Sequence, residues 1–289
     1  MEKFLLIILS SFFCFVMVSC STTGADQTSR WTPDKLYTEA KLELNSGNYD
    51  TALSLYKKLS TRYPFGVYAQ QAQLEVAYAH WKNGQSGLAL AALDRYLKLY
   101  PNQLGIEYAL YLKGLINFND NMTLFSSFTG EDMAERDAEA ARLAFESFKK
   151  LVIEFPNSNY SIDAYKRLEF LLTVLAENEV HVARFYLRKS AYHAALNRAK
   201  TLIINFQGAP AVEEALAIMI ECYNELKLVE LSGDTAQILK MNFPNSPYLL
   251  HSYDPFKRGG LSKNIRNPTN TTWKEFNLIE RLKNIIPDF

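Results

Sequence analysis

Apolar residues recur at helical spacing along most of this chain, in short stripes separated by polar or turn-forming residues. Leu36, Ala40, Leu42 and Leu44 form one stripe and Ala52, Leu55, Tyr56 and Leu59 the next, with Asn45-Ser46-Gly47-Asn48 between them. That spacing predicts two short amphipathic helices packed face to face. The pair closes at Arg62-Tyr63-Pro64-Phe65-Gly66, and the pattern then starts again. A step of 37 residues carries Ala40 to Ala77, Gly47 to Gly84, Ala52 to Ala89, Tyr63 to Tyr100 and Pro64 to Pro101. The closure returns at Phe155-Pro156 and Phe243-Pro244, while Phe206-Gln207 keeps the aromatic residue without the proline.

The residue types at these positions have physical reasons. Two helices approach closely only where side chains are small, which puts Ala40 and Ala52 at a crossing. Gly47 ends the first helix in a left-handed conformation that costs glycine little, and Pro64 lacks the N–H that would continue the second. Helix pairs repeating at this length with this small-residue pattern are the tetratricopeptide signature. The chain is therefore expected to be all-α, a tetratricopeptide-repeat solenoid of about five helix pairs in two offset lobes.

Two closures come late. Between Tyr100 and Phe155 there are 18 residues more than the period, which marks an insertion at 119–137 containing Phe125, Phe128 and Gly130; long insertions tend to be functional or disordered. Between Phe155 and Phe206 the excess is 14, close to four helical turns, and neither Gly nor Pro occurs from Ile162 to Tyr192, so one long helix is expected there. The expected organisation is repeats 1–3 over 32–156, repeats 4–5 with the long helix over 157–247, and a tail over 248–289 with one helix near Thr272 to Asn284.

The chain starts with a different signal. Lys3 precedes an apolar run from Phe4 to Val18, then Ser19-Cys20 and the polar Ser21-Thr22-Thr23-Gly24. The run is shorter than the ~20 residues a spanning helix needs, which favours a signal peptide over 1–19. Met17-Val18-Ser19-Cys20 resembles a bacterial lipobox, whose cysteine is lipidated and becomes the mature N-terminus, and Ser21 resembles the outer-membrane sorting residue. An ordinary signal peptide with an incidental cysteine, or an uncleaved anchor, is the alternative. Residues 20–31 read as a lipidated tether, and Thr32-Pro33 as the cap and first residue of the first helix.

Charge and cysteines narrow the function further. Lys+Arg and Asp+Glu are both 31, so no net field argues for nucleic acid. With Cys14 in the signal and Cys20 lipidated, Cys222 remains alone and no intrachain disulfide is expected in the mature protein. His80, His181, His193 and His251 do not fall at metal-ligand spacing. No Gly-rich phosphate loop, Gly-x-Ser-x-Gly or Cys/His dyad is present. Glu131-Asp132 and Glu213-Glu214 read as solvated helix starts favoured by the dipole, and Cys222 as a buried small apolar residue. No catalytic residue, metal or cofactor is expected.

Several blocks carry a family resemblance beyond the repeat. Residues 62–74 (RYPFGVYAQQAQL), Asp94-Arg95-Tyr96, 108–117 (YALYLKGLIN), Glu135-Arg136-Asp137 and 155–160 (FPNSNY) resemble the BamD family, the tetratricopeptide lipoproteins of the outer-membrane β-barrel assembly machine. The resemblance covers about residues 34–244 in order, with the same insertion and long helix. Ala138 stands where the family often has proline, Gln207 replaces the fourth closure proline, and the tail from Tyr248 has no placed counterpart.

What the resemblance implies is a non-enzymatic assembly factor, anchored through Cys20 to the outer membrane and facing the periplasm. Its implied partners are a BamA-like barrel subunit, contacted through a POTRA domain, accessory Bam lipoproteins, and unfolded outer-membrane β-barrel proteins. Arg198 matches the family arginine at the POTRA contact; on the residues alone it is equally an exposed helix arginine. The N-terminal repeats would receive the extended C-terminal segments of barrel proteins, with Tyr68, Gln71, Tyr108 and Tyr111 near the channel mouth; aromatics at this spacing also serve as core. The alternatives are a general periplasmic repeat scaffold in envelope division or wall synthesis, and a peptidoglycan-processing enzyme, for which no acid pair presents itself.

Overall fold

The computed structural model describes residues 26–102, 105–123, 138–250 and 253–255. Among them there are ten α-helices and no strand. We number them α1 (Pro33–Asn45), α2 (Tyr49–Arg62), α3 (Val67–Lys82), α4 (Ser86–Leu99), α5 (Ile106–Thr123), α6 (Glu139–Glu154), α7 (Ser161–Arg188), α8 (Tyr192–Asn205), α9 (Val212–Glu225) and α10 (Val229–Asn242). A 3₁₀ turn follows at Pro247–Leu249. α1 packs on α2, α5 on α6, α7 on α8 and α9 on α10, as helix pairs of the tetratricopeptide type. The signal peptide, Cys20, Phe125, Phe128, Gly130 and the tail helix near 272–284 lie outside the described residues.

Two backbone devices recur along the chain. The turn inside a pair needs one residue in the left-handed region: Gly47 (φ 81°), Gly84 (75°), Ser190 (56°) and Lys227 (60°). At each, the N–H bonds back three residues and the next N–H five residues, as from Gly47 to Leu44 and Asn48 to Glu43, the pattern that satisfies the last carbonyls of a helix. The exit from each pair is equally uniform. Tyr63, Tyr100, Phe155, Phe206 and Phe243 all have φ between −133° and −129° and ψ between 43° and 70°, and each donates its N–H four residues back. Gln207 leaves this geometry intact, so the aromatic residue rather than the proline is the constant element.

α7 is 28 residues long, twice the length of α8. It ends at Arg188, four residues before Tyr192, because Ser190 takes the left-handed position that glycine holds in the first two repeats. The apolar spacing runs on through this turn, so periodicity could not reveal it. α5 extends to Thr123, into the first five positions of the expected insertion.

The described chain forms two compact units, the first ending at Ala79 and the second beginning at His80, within α3. In the first, Leu36, Ala40, Ala52, Tyr56, Leu59 and Ala72 are completely buried. Residues 26–31, expected as tether, are held here as a turn. Asp26 accepts from Lys58 Nζ at 2.8 Å and pairs with Arg62, which also donates to the Thr28 carbonyl, and the Tyr63 hydroxyl donates to the Trp31 carbonyl at 3.0 Å. The bonds from Lys58 and Thr28 hold the Asp26 carboxyl well below the usual carboxylate range. Tyr56 is fully buried and its hydroxyl lacks a hydrogen-bond partner. An unsatisfied buried hydroxyl costs roughly 1–3 kcal/mol, so Tyr56→Phe is expected to raise stability by about 1 kcal/mol in a denaturant titration.

The second unit has a continuous core from Ile106 to Tyr253. Gly114, one period after Ala77, brings α5 against α6: a Cβ there would lie 2.5 Å from the ring of Phe148, which is itself fully buried. Gly114→Ala is therefore expected to destabilise this unit. Overpacking of roughly 1–3 kcal/mol outweighs the roughly 1 kcal/mol gained in helix propensity, and a lowered thermal midpoint checks it.

Candidate functional site

In each unit, first helices present a face that carries aromatic and acidic side chains together. In the first unit, the Tyr37 ring of α1 lies 5.5 Å from Tyr68 of α3 and 6.0 Å from Tyr56 of α2. The Tyr68 hydroxyl donates to Asp34 Oδ1 at 2.7 Å. Glu75 accepts from Lys41 Nζ at 2.5 Å and from the Tyr37 hydroxyl at 3.4 Å. Burial, reinforced by the Glu75 charge, pushes the Tyr37 phenol up to about 12; the hydrogen bond to Asp34 raises that of Tyr68. Gln71 stands exposed one turn along α3 from Tyr68.

An analogous group lies in the second unit. Tyr111 of α5 stacks on Tyr160, just before α7, at 5.0 Å and 26°, and Tyr108 lies 5.8 Å from the same ring. The Tyr111 hydroxyl donates to Asp163 Oδ2 at 2.8 Å, and Arg167 Nε donates to the same oxygen at 2.6 Å. Arg167 also sits over the Phe118 ring, 4.8 Å from its centroid. Burial pushes the Asp163 carboxyl up, but the bonds from Arg167 and Tyr111 outweigh it and the net shift is down. Tyr111 moves up, through burial and then its bond to Asp163. Both faces thus tie one first helix to the next by a tyrosine–aspartate bond.

Arg198 occupies a third place, on α8. Its side chain is 45% exposed, and Nη1 lies 3.3 Å from Glu179 Oε2 on α7. Glu179 is only 4% exposed, and its other oxygen lies 4.0 Å from Arg142 of α6. A buried carboxylate between two arginines fixes the direction of the Arg198 guanidinium and leaves part of it open to solvent.

The structure therefore brings Tyr68 together with Gln71, and Tyr108 with Tyr111, each pair in its own unit. The tyrosine hydroxyls at 68 and 111 are bound to Asp34 and Asp163, so the polar group available at the first face is the Gln71 amide. Asp34, Glu75, Asp163, Arg167 and Glu179 were missed from sequence. Asp34 and Tyr68 are 34 residues apart, three short of the 37-residue step, and Tyr111 and Asp163 are 52 apart across the insertion, so the repeat register pairs neither.

Among the described residues, no group of three or more His, Cys, Asp or Glu is placed to hold a metal, and no helix is long and apolar enough to cross a membrane. Cys222 is fully buried, and burial pushes its thiol up to about 12.

Comparison with known proteins gives this geometry a family. Residues 30–239 match the family described as "YfiO: Outer membrane lipoprotein". The chain is 41% identical over 254 residues to the outer membrane protein assembly factor BamD of Neisseria gonorrhoeae, covering 86% of this chain and 95% of that protein. It is 36% identical over 210 residues to the protein of the same name from Vibrio cholerae, covering 73% and 87%. Among solved structures, a Podosopora anserina kinesin light chain with nearly identical TPR-like repeats aligns over 71% of this chain and 92% of its own, at 11% identity and a TM-score of 0.35. The chain belongs to the YfiO family of outer membrane lipoproteins, alongside these BamD proteins.

Proposed function

We propose that this chain is an outer membrane protein assembly factor: a non-catalytic repeat scaffold, held at the periplasmic face of the outer membrane by lipid on Cys20. The observation that carries this is the 41% identity over 86% of the chain to a protein of that name. In this role Arg198 meets a carboxylate on the POTRA domain of a BamA-like barrel subunit. Its part-exposed guanidinium, oriented by Glu179, supports that contact. Accessory lipoproteins of the same machine complete the complex.

The first-helix faces suit an extended peptide. Aromatic rings supply apolar area at low entropic cost, and Gln71 offers a donor and an acceptor to a peptide backbone. Asp34 disfavours a free carboxylate beside Tyr68, so a barrel C-terminus would pass that ring with its backbone and place its terminal charge elsewhere; beside Tyr111 the Asp163 charge is offset by Arg167. A photoreactive residue at Gln71 is expected to crosslink to a synthetic barrel C-terminal peptide; crosslinks only from positions after Tyr160 would move the peptide site to the later repeats.

Affinity purification from solubilised membranes tests the function as a whole. Recovery of a POTRA-containing barrel subunit is expected. Recovery of division or wall-synthesis proteins without any barrel subunit would favour the general envelope scaffold.

A further inference from the structure

The second helices of the repeats differ on their outer face in one respect. Counting from each left-handed turn residue, the fourth, eleventh and fourteenth positions are Thr51, Lys58 and Thr61 on α2, and Leu88, Arg95 and Lys98 on α4. On α8 they are Ala194, Thr201 and Ile204. On α10 all three are large and apolar: Leu231, Ile238 and Met241, exposed by 45%, 49% and 74%. They lie at i, i+7 and i+10, on one side of the helix, while Ser232, Thr235 and Leu239 face inward. This is not the surface on which a sixth repeat would stack, since the positions matching Leu53 and Ser60 are Gly233 and an exposed Lys240.

We propose that this stripe is the docking site of the chain's own C-terminal segment, residues 272–286. The sequence there places Phe276, Ile279, Leu282 and Ile286 on one helical face, with Leu278 and Ile285 beside them and Lys274, Arg281 and Asn284 opposite. Charge is compatible with the match: residues 272–286 carry Lys274, Arg281 and Lys283 against Glu275 and Glu280, four further basic residues precede them from Lys257 to Arg266, and Glu230 and Asp234 stand exposed beside the stripe. Reach allows it as well. The described chain is fixed as far as Pro255, whose carbonyl accepts from Arg188 at 3.3 Å. The 17 residues from 256 to 272 span about 20–25 Å as a flexible coil, comparable to the length of α10 at about 1.5 Å per residue. The apolar stripe also occurs on the helix nearest the tail in sequence, and on none of α2, α4 and α8 at all three positions.

The test uses the full-length, membrane-anchored protein with a photoreactive residue at Met241 or, separately, at Ile238. The expected product is an intrachain crosslink into peptide 272–286, and a probe at Thr61, the matching position on α2, should give none. Combining Ile279→Asp with Leu282→Asp should reduce that crosslink more than about tenfold, because the apolar burial that drives docking is removed; unchanged circular dichroism would show the repeats intact. Crosslinks from both positions only to lipid, to a second copy or to another polypeptide would overturn the proposal, as would crosslinking that persists in the double variant or no crosslink at all.

Discussion

Glu214→Ala is expected to lower the stability of the second unit by about 3–5 kcal/mol, the cost of removing one partner of a buried ion pair. Glu214 is 3% exposed and takes both Nε and Nη2 of Arg184, at 2.5 and 2.6 Å. The Tyr253 hydroxyl donates to the same carboxylate. Alanine would strand a guanidinium whose side chain is only 15% exposed and a phenol that is 7% exposed. Glu214→Gln should lose less, since it keeps an acceptor. Arg184→Met combined with Glu214→Leu should recover much of the loss, because an apolar pair removes the stranded charge along with the bridge. Denaturant midpoints for the three variants decide this, and equal losses in all of them would show that packing rather than charge dominates.

The same cluster sets a pH dependence. Burial, then Glu214, pushes the Tyr253 phenol far above the ordinary tyrosine value of 10. A raised folded value means the contribution is complete below pH about 10 and is lost as pH rises through the folded value. Tyr253 also fixes the segment after the 3₁₀ turn, with the Tyr248 ring tilted against it at 5.6 Å, so Glu214→Ala should open the chain after Ser246 to protease.

The second large effect concerns Arg198. On the proposed partner contact, Arg198→Gln is expected to weaken co-purification with the barrel subunit by about 2–5 kcal/mol, the range for truncating one partner of a buried interface pair. Glutamine is the better test than glutamate. Arg198→Glu would place a second carboxylate against buried Glu179 and could lose binding by loosening α7 from α8. Arg198 is 45% exposed, so its bond to Glu179 adds little to folding. An Arg198→Gln protein with an unchanged thermal midpoint and unchanged co-purification would remove this residue from the interface.

The periodic parts of this fold were legible in the sequence. Small residues, glycine turns and aromatic closures are local requirements of backbone geometry, and a step of 37 exposes them without knowledge of contacts. Gly47, Gly84, Tyr63, Tyr100, Phe155, Phe206 and Phe243 all take the conformations their residue types suggest. Ser190 and Lys227 adopt the same left-handed turn without the residue that advertises it. There the packing of the flanking helices overrides local preference, at a conformational cost glycine would not bear.

The polar partners were decided by tertiary structure alone. Asp34 with Tyr68, Asp163 with Tyr111, Glu179 with Arg198 and Arg184 with Glu214 join residues 19 to 52 positions apart. Nothing in their neighbours' sequence selects one carboxylate over the many others in the chain. Hydrophobic periodicity fixes which face of a helix is buried, but which charge reaches which depends on helix length, register and crossing. A 28-residue α7 beside neighbours of 16 and 14 residues sets those quantities only once the helices are packed.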